Sequence, residues 1–262
     1  IICNRTNTVQ KKLHYLMNKV PQVTLIFWLI KMMSTTVGET GADYLAFNFH
    51  LGLPVTALIT GLLLLFALFF EITSTTQKHW LYWLNVLLIS VFGTLTTDLL
   101  TDQFGVPLIV STLVFSVTMI GAFWVWYRSE KTLSIHHINT PKREMYYWIV
   151  ILFTFALGTA VGDLVAESFN LGYLNATLLF SGIISSIALA FFANKKYSVL
   201  WFWLAYILTR PLGAALGDLL SQPTSNGGLG LGTSIVSIVF LGCICTAVAY
   251  SHHQAKQSQY LR

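Results

Sequence analysis

Of the 262 residues, 55% are apolar and only 10% are charged, against about 25% charged in an ordinary soluble domain. That balance excludes a soluble globular chain, because no stretch outside the apolar segments is long enough to bury a core of its own. The formal net charge is +5, but the basic residues are spread between apolar segments rather than gathered in one patch, which argues against a nucleic-acid partner.

In chain order, a polar tail (residues 1–20) carries Arg5, Lys11, Lys12 and Lys19. A polar start followed by a full-length apolar stretch is not the pattern of a cleavable signal. Eight apolar segments follow, at 27–45, 54–72, 81–100, 107–127, 147–165, 173–193, 199–220 and 229–250. Each approaches the roughly 20 residues needed to cross a bilayer. The expectation is an all-α membrane protein with eight transmembrane helices and the lipid bilayer as its first partner.

The basic residues orient these segments. Thirteen of the 15 Lys and Arg lie in the two tails and in three loops, at Lys78, at Arg128, Lys131, Lys142 and Arg143, and at Lys195 and Lys196; the C-terminal tail (251–262) adds Lys256 and Arg262. The four opposite loops carry none. The positive-inside rule therefore places both termini in the cytoplasm. Residues 21–127 and 147–250 each hold four segments, and 128–146, with His136, His137 and Pro141, reads as a cytoplasmic connector with solvated histidines. His252 and His253 read likewise. Cys3, Cys243 and Cys245 support no disulfide framework, and the last two read as small apolar packing residues of a helix.

A strict internal repeat runs through these segments. Trp28-Gly38-Asp43, Trp83-Gly93-Asp98, Trp148-Gly158-Asp163 and Trp203-Gly213-Asp218 share identical spacing, and the tryptophans are 55, 65 and 55 residues apart. Each repeat holds two segments, so successive repeats enter the membrane in the same direction. The chain therefore reads as four parallel two-helix repeats, grouped as two pairs around the connector. Each tryptophan begins its helix beside polar residues and is expected to anchor at the cytoplasmic interface. The glycines fit close helix packing, with Gly158-x-x-x-Gly162 and Gly213-x-x-x-Gly217 as small-residue pairs.

Charges inside these segments follow the repeat. Glu39, Asp43, Asp98, Asp102, Asp163, Glu167 and Asp218 all lie in the upper part of the odd-numbered helices, with the four repeat aspartates about 22 Å above their tryptophans. If the helices continue, Glu39 and Asp43, Asp98 and Asp102, and Asp163 and Glu167 each share one face as i, i+4 pairs. Such carboxylates are costly in a bilayer and mark a site by default. One reading has the aspartates capping short following helices or pairing with Lys31 and Arg210. The other has them converge as hard oxygen ligands, with the Thr35, Thr36, Thr94, Thr97 and Thr159 hydroxyls, around Mg²⁺, Mn²⁺ or protons. So many carboxylates cannot all stay ionised without counter-charge, so proton coupling is expected. Lys31 and Arg210 occur in the first and last repeats only, which makes the pocket asymmetric.

The Trp-x9-Gly-x4-Asp repeat, with stretches such as Gly38-Glu39-Thr40-Gly41-Ala42-Asp43-Tyr44 and Gly158-Thr159-Ala160-Val161-Gly162-Asp163, resembles an uncharacterised bacterial membrane-protein family. That family is built from tandem two-helix repeats of unknown function, each with a characteristic tryptophan. The resemblance spans about 20–250 and implies the bacterial inner (plasma) membrane, with no assigned substrate.

No P-loop, nucleophile elbow or helical His-Glu-x-x-His is present, so no enzyme is expected and no cofactor. The first expectation is a transporter of a small cation, such as Mn²⁺ or another divalent metal, through Asp43, Asp98, Asp163, Asp218, Glu39, Asp102 and Glu167, with Asp98 and Asp163 preferred. The second is a carrier of a small organic or anionic substrate held by Lys31 and Arg210. The third is a non-transporting membrane scaffold.

Overall fold

The computed structural model describes residues 18–74 and 76–260, with side chains through Gln254. Cys3, Arg5, Lys11, Lys12 and Arg262, together with the side chain of Lys256, lie outside the described residues. Among the described residues there are eight long helices and no strand: α1 (Leu25–Asp43), α2 (Gly52–Thr73), α3 (His79–Asp98), α4 (Leu108–Glu130), α5 (Pro141–Asp163), α6 (Gly172–Ala193), α7 (Ser198–Ser221) and α8 (Thr233–Tyr260). Seven of them are long and apolar enough to cross a membrane. The exception, α1, carries Lys31, Glu39 and Asp43 within 19 residues.

Local signals set the helix starts. The Thr24 hydroxyl accepts from the Phe27 N–H at the start of α1, and the Thr140 hydroxyl accepts from Arg143 N–H at the start of α5, where Pro141 fixes the first turn. At the far ends, α1, α3 and α5 do not stop at their aspartates. Each continues into a wider π turn, Tyr44–Asn48, Leu99–Gln103 and Leu164–Ser168. The fourth inner helix stays α-helical to Ser221. The chain after it folds back across its end, with Leu229 N–H donating to Leu219 O and Leu231 N–H to Leu220 O.

The odd helices form an inner ring in which α1 touches α3, α3 touches α5, α5 touches α7 and α7 returns to α1. Each even helix packs on the inner helix of the following repeat: α2 on α3, α4 on α5, α6 on α7 and α8 on α1. This is a head-to-tail arrangement whose rotation closes after four units. Even helices present large apolar side chains outward, including Leu58, Leu62 and Phe66 on α2, Val117 and Ile120 on α4, Leu178 and Leu189 on α6 and Ile238 on α8. So extensive an apolar surface suits lipid and not water.

The repeated glycine closes the ring. A Cβ at Gly38 would collide with Ser90, at Gly158 with Arg210 and at Gly213 with Thr35, and at Gly93 it would press tightly on Phe155. These four partners all sit seven residues after their tryptophan. Each repeat thus receives the same position of the next, and the last receives the first.

Three of the four repeat tryptophans are packed inside the protein rather than facing outward as anchors. Trp83, Trp148 and Trp203 are buried, and Trp28 is half-buried. The residues before them, Phe27, Tyr82, Tyr147 and Phe202, are buried too, and the two sets interlock around the ring. Phe27 meets Trp83 at 5.2 Å between centroids, Tyr82 meets Trp148 at 5.3 Å, Tyr147 meets Trp203 at 6.1 Å and Phe202 meets Trp28 at 5.6 Å. A second aromatic per repeat supplies the partner that draws the indole inward, and such ring pairs add to the gain from burial.

The connector is shorter than the reading of 128–146. α4 extends to Glu130 and α5 begins at Pro141. Nor is it a free loop: Ile135 and Ile138 are buried in the aromatic core, and Trp203 donates its indole N–H to Leu133 O at 2.9 Å. His136, His137, His252 and His253 are exposed. Cys243 and Cys245 are free and exposed on α8 rather than packed inside.

Candidate carboxylate site

With the inner helices in register, residues at one distance from the tryptophan share one level. Three residues on lie Lys31, Val86, Ile151 and Tyr206; seven on, Thr35, Ser90, Phe155 and Arg210; eleven on, Glu39, Thr94, Thr159 and Ala214; fifteen on, the four aspartates.

Lys31 is fully buried and its ammonium makes no hydrogen bond. It lies over the Phe155 ring at 3.9 Å and the Tyr206 ring at 4.3 Å from their centroids. Aromatic faces carry negative charge that favours such a cation. One level above, Arg210 is also fully buried and is bound on several sides. It donates from Nη1 to Thr35 O at 2.9 Å, and from Nη2 to Glu39 Oε2 at 3.0 Å, to the Thr159 hydroxyl at 2.6 Å and to the Thr94 hydroxyl. Thr94 also donates to Glu39 Oε2 at 3.3 Å. The first three repeats therefore hold one guanidinium that the fourth supplies. A buried charge needs this, because an unpaired one is severely penalised.

Above the guanidinium the carboxylates gather. One ligand oxygen each from Glu39, Asp163 and Asp218 lies within 4.8 Å of the others. Glu39 and Asp218 are buried, and Asp43, Asp98 and Asp163 are half-buried. The aspartates at the head of the three π turns make no capping hydrogen bond, so the capping reading does not hold for Asp43, Asp98 and Asp163. The helices run unbroken through the repeat glycines, and Asp218 lies inside α7.

The paired-carboxylate expectation holds within α1, where Glu39 and Asp43 are one α turn apart. Beyond Asp98 and Asp163 the π turns carry Asp102 and Glu167. Both are exposed. Asp102 accepts from the Thr101 hydroxyl at 3.0 Å, and Glu167 from the Tyr173 hydroxyl at 3.2 Å. The structure thus brings together Glu39, Asp163 and Asp218, keeps Asp43 and Asp98 at the same level, and places Asp102 and Glu167 at the rim. Lys31 pairs with no carboxylate.

Several participants escaped the sequence reading. Phe155 and Tyr206, which enclose Lys31, look like ordinary helix residues in sequence. The Tyr82 and Tyr147 hydroxyls bond at 2.6 Å and Thr40 meets Ser237 at 2.8 Å, while the Thr97 hydroxyl, expected as a ligand, instead crosses to Ala156 O at 3.1 Å. The one available signal was the aromatic residue that precedes every repeat tryptophan.

A family model described as Repeat of Unknown Function (DUF347) matches the chain four times, at residues 26–76, 81–132, 146–197 and 201–257. No curated protein and no solved structure matches the chain.

Proposed function

The chain belongs to that repeat family, and since the family assigns no activity we propose from the geometry that it moves a small hard cation across a membrane through the inner-ring carboxylates. On this reading α1 is the eighth span, since its charged residues face the ring and not lipid. Both termini face the cytoplasm of a bacterial cell, with the carboxylates toward the opposite side.

The observation that carries the proposal is the convergence of Glu39, Asp163 and Asp218 oxygens within 4.8 Å. Oxygens that close together need only small side-chain shifts to reach the roughly 2.0–2.6 Å of a hard-cation–oxygen contact, so one Mg²⁺, Mn²⁺ or Ca²⁺ fits among them. Carboxylate oxygens suit such ions better than Cu(I). Arg210, held below the ligand atoms through Glu39, supplies resident positive charge, so that the carboxylates need not all be neutralised by the cargo. The organic-anion alternative has less support, because the Arg210 terminal nitrogens are already engaged by the protein and Lys31 is enclosed by ring faces.

The test is Mn²⁺ flux into proteoliposomes, with Mg²⁺ as a competitor. Flux is expected in the unaltered protein and lost in Asp163→Asn and Asp218→Asn. Absence of divalent flux, or flux indifferent to both changes, would count against the reading.

A further inference from the structure

A second group of acidic residues lies at the opposite, basic end of the bundle. Glu71 closes the last turn of α2 and Glu144 opens the first turn of α5; each is 1% exposed. Both are therefore more deeply buried than the inner carboxylates, although neither belongs to the tryptophan repeat. Between them reaches Lys19, from the segment that leads into α1. Its ammonium lies 2.7 Å from Glu144 Oε2, an ion pair by distance although it lacks hydrogen-bond alignment. It also donates to the Glu71 carbonyl at 2.6 Å and the Ile72 carbonyl at 3.2 Å. Three oxygens from two helices therefore surround one cation, and two of them are at the C-terminal end of α2, where the helix dipole is negative.

The charge does not close. Glu71 Oε2 and Glu144 Oε1 are buried without a hydrogen-bond partner, as is the neighbouring Trp148 indole N–H. Among the described residues, Lys78 makes no ion pair with Glu71. The Lys19 ammonium reaches the Glu71 main-chain carbonyl but pairs only with the Glu144 carboxylate, so the buried Glu71 carboxylate has no cation within 4.0 Å among the described residues, and a buried carboxylate oxygen left unpaired is expensive. A single divalent ion would satisfy what a single ammonium leaves unmet.

We propose that Glu71, Glu144 and the carbonyls of Glu71 and Ile72 form a second cation site, which Lys19 occupies as a tethered ammonium and from which a hard divalent cation displaces it. Lys19 is suited to leave. It is 13% exposed at its side chain, against 1% for Glu144, and it lies on the water-facing edge of the group. Its main chain is held independently: its N–H donates to Ile138 O at 3.0 Å and its carbonyl accepts from the Gln77 amide at 3.4 Å. The side chain can therefore swing out without unseating the segment. This proposal is independent of the inner carboxylates and stands or falls separately from them.

The test uses the full chain in detergent with Asp163→Asn and Asp218→Asn, so that the inner site is silent, and Mn²⁺ as the probe, read by loss of the free-ion electron paramagnetic resonance signal. Adding Lys19→Gln is expected to tighten Mn²⁺ binding about tenfold, and adding Glu71→Gln to that variant to abolish the gain. A folded Lys19→Gln variant with no gain, or a gain that survives Glu71→Gln, would overturn the proposal. In case Lys19→Gln does not fold, a second measurement needs no change at Lys19. The acylation rate of Lys19, followed by mass spectrometry, should rise with Mn²⁺ and lose that rise in Glu71→Gln. A rate indifferent to Mn²⁺ would equally overturn the proposal.

Discussion

Replacing Glu39 with Gln leaves the Arg210 guanidinium fully buried and removes the carboxylate that neutralises it at 3.0 Å. At that distance and an effective dielectric of about 20, the lost attraction is about 5.5 kcal/mol before solvation is counted. Part of it is recovered, because a Gln side-chain oxygen still accepts from Nη2, and the bonds from Nη1 to Thr35 O and from Nη2 to Thr159 remain. Breaking one partner of a buried pair costs about 3–5 kcal/mol, so Glu39→Gln is expected near the lower end. For a chain of this size that lowers the melting temperature by roughly 10 °C. The double change Glu39→Gln with Arg210→Gln removes both charges together, and should melt closer to the unaltered protein than either single variant does. Thermal melting of purified protein, followed by tryptophan fluorescence, reads all four. If Glu39→Gln shifts the midpoint by less than about 2 °C, or if the double variant is as unstable as the two single losses summed, the guanidinium is not held by Glu39 in the way described.

The ring contacts make two further claims. Gly158→Ala and Gly213→Ala each put a methyl group into Arg210 or Thr35 close to the neighbouring backbone, and should cost about 1–3 kcal/mol as overpacking. Gly121→Ala on α4, where a Cβ meets nothing within 4 Å, should leave the midpoint unchanged; equal shifts in all three variants would remove the basis for the cyclic packing. Trp148→Ala should be far more damaging than Trp28→Ala, since only the former indole is buried, and a large-to-small change there costs about 3–5 kcal/mol. Equal losses on the same melting assay would return the tryptophans to the interface.

Much of this architecture was legible because a bilayer imposes simple rules. The apolar segments marked six helices within three residues at each end, while α5 begins six residues before its segment and α8 runs ten beyond, and the identical spacing of Trp, Gly and Asp placed equivalent groups at one level. What could not be read was rotation about each helix axis. An indole at a helix start looks the same whether it faces lipid headgroups or a ring of partners. The partners here are Phe27, Tyr82, Tyr147 and Phe202, whose role depends on tryptophans in another repeat, far away along the chain. Asp102 and Glu167 were misplaced for a related reason. They sit on the π turns after the aspartates, which have no plain sequence mark, and both side chains are exposed there. Lys19 and Glu144 lie outside the repeat altogether, so no pattern singled them out.

Cyclic closure implies that the order of repeats along the chain matters less than their order around the ring. The α8–α1 contact is made without a covalent link between the helices, yet it has the same form as α2–α3, α4–α5 and α6–α7, each joined by a loop. The described ends also converge. The Lys19 carbonyl accepts from Gln77 and the His252 ring lies 5.6 Å from His79, so both ends reach the α2–α3 link. Joining them should therefore cost little loop entropy, since closure penalties grow only slowly with length. New ends can be opened at Lys195–Tyr197, an exposed turn between the third and fourth repeats. A circular permutant beginning at Lys196, with its former ends linked by a flexible spacer, is expected to purify as the same species. It should keep the tryptophan emission of the aromatic layer, and its melting midpoint should fall by less than that of Trp148→Ala. Aggregation of that permutant, alongside normal behaviour of a control carrying only the inserted spacer at 195–197, would mean that the α6–α7 loop is needed to seat the fourth repeat and that the four contacts are not equivalent.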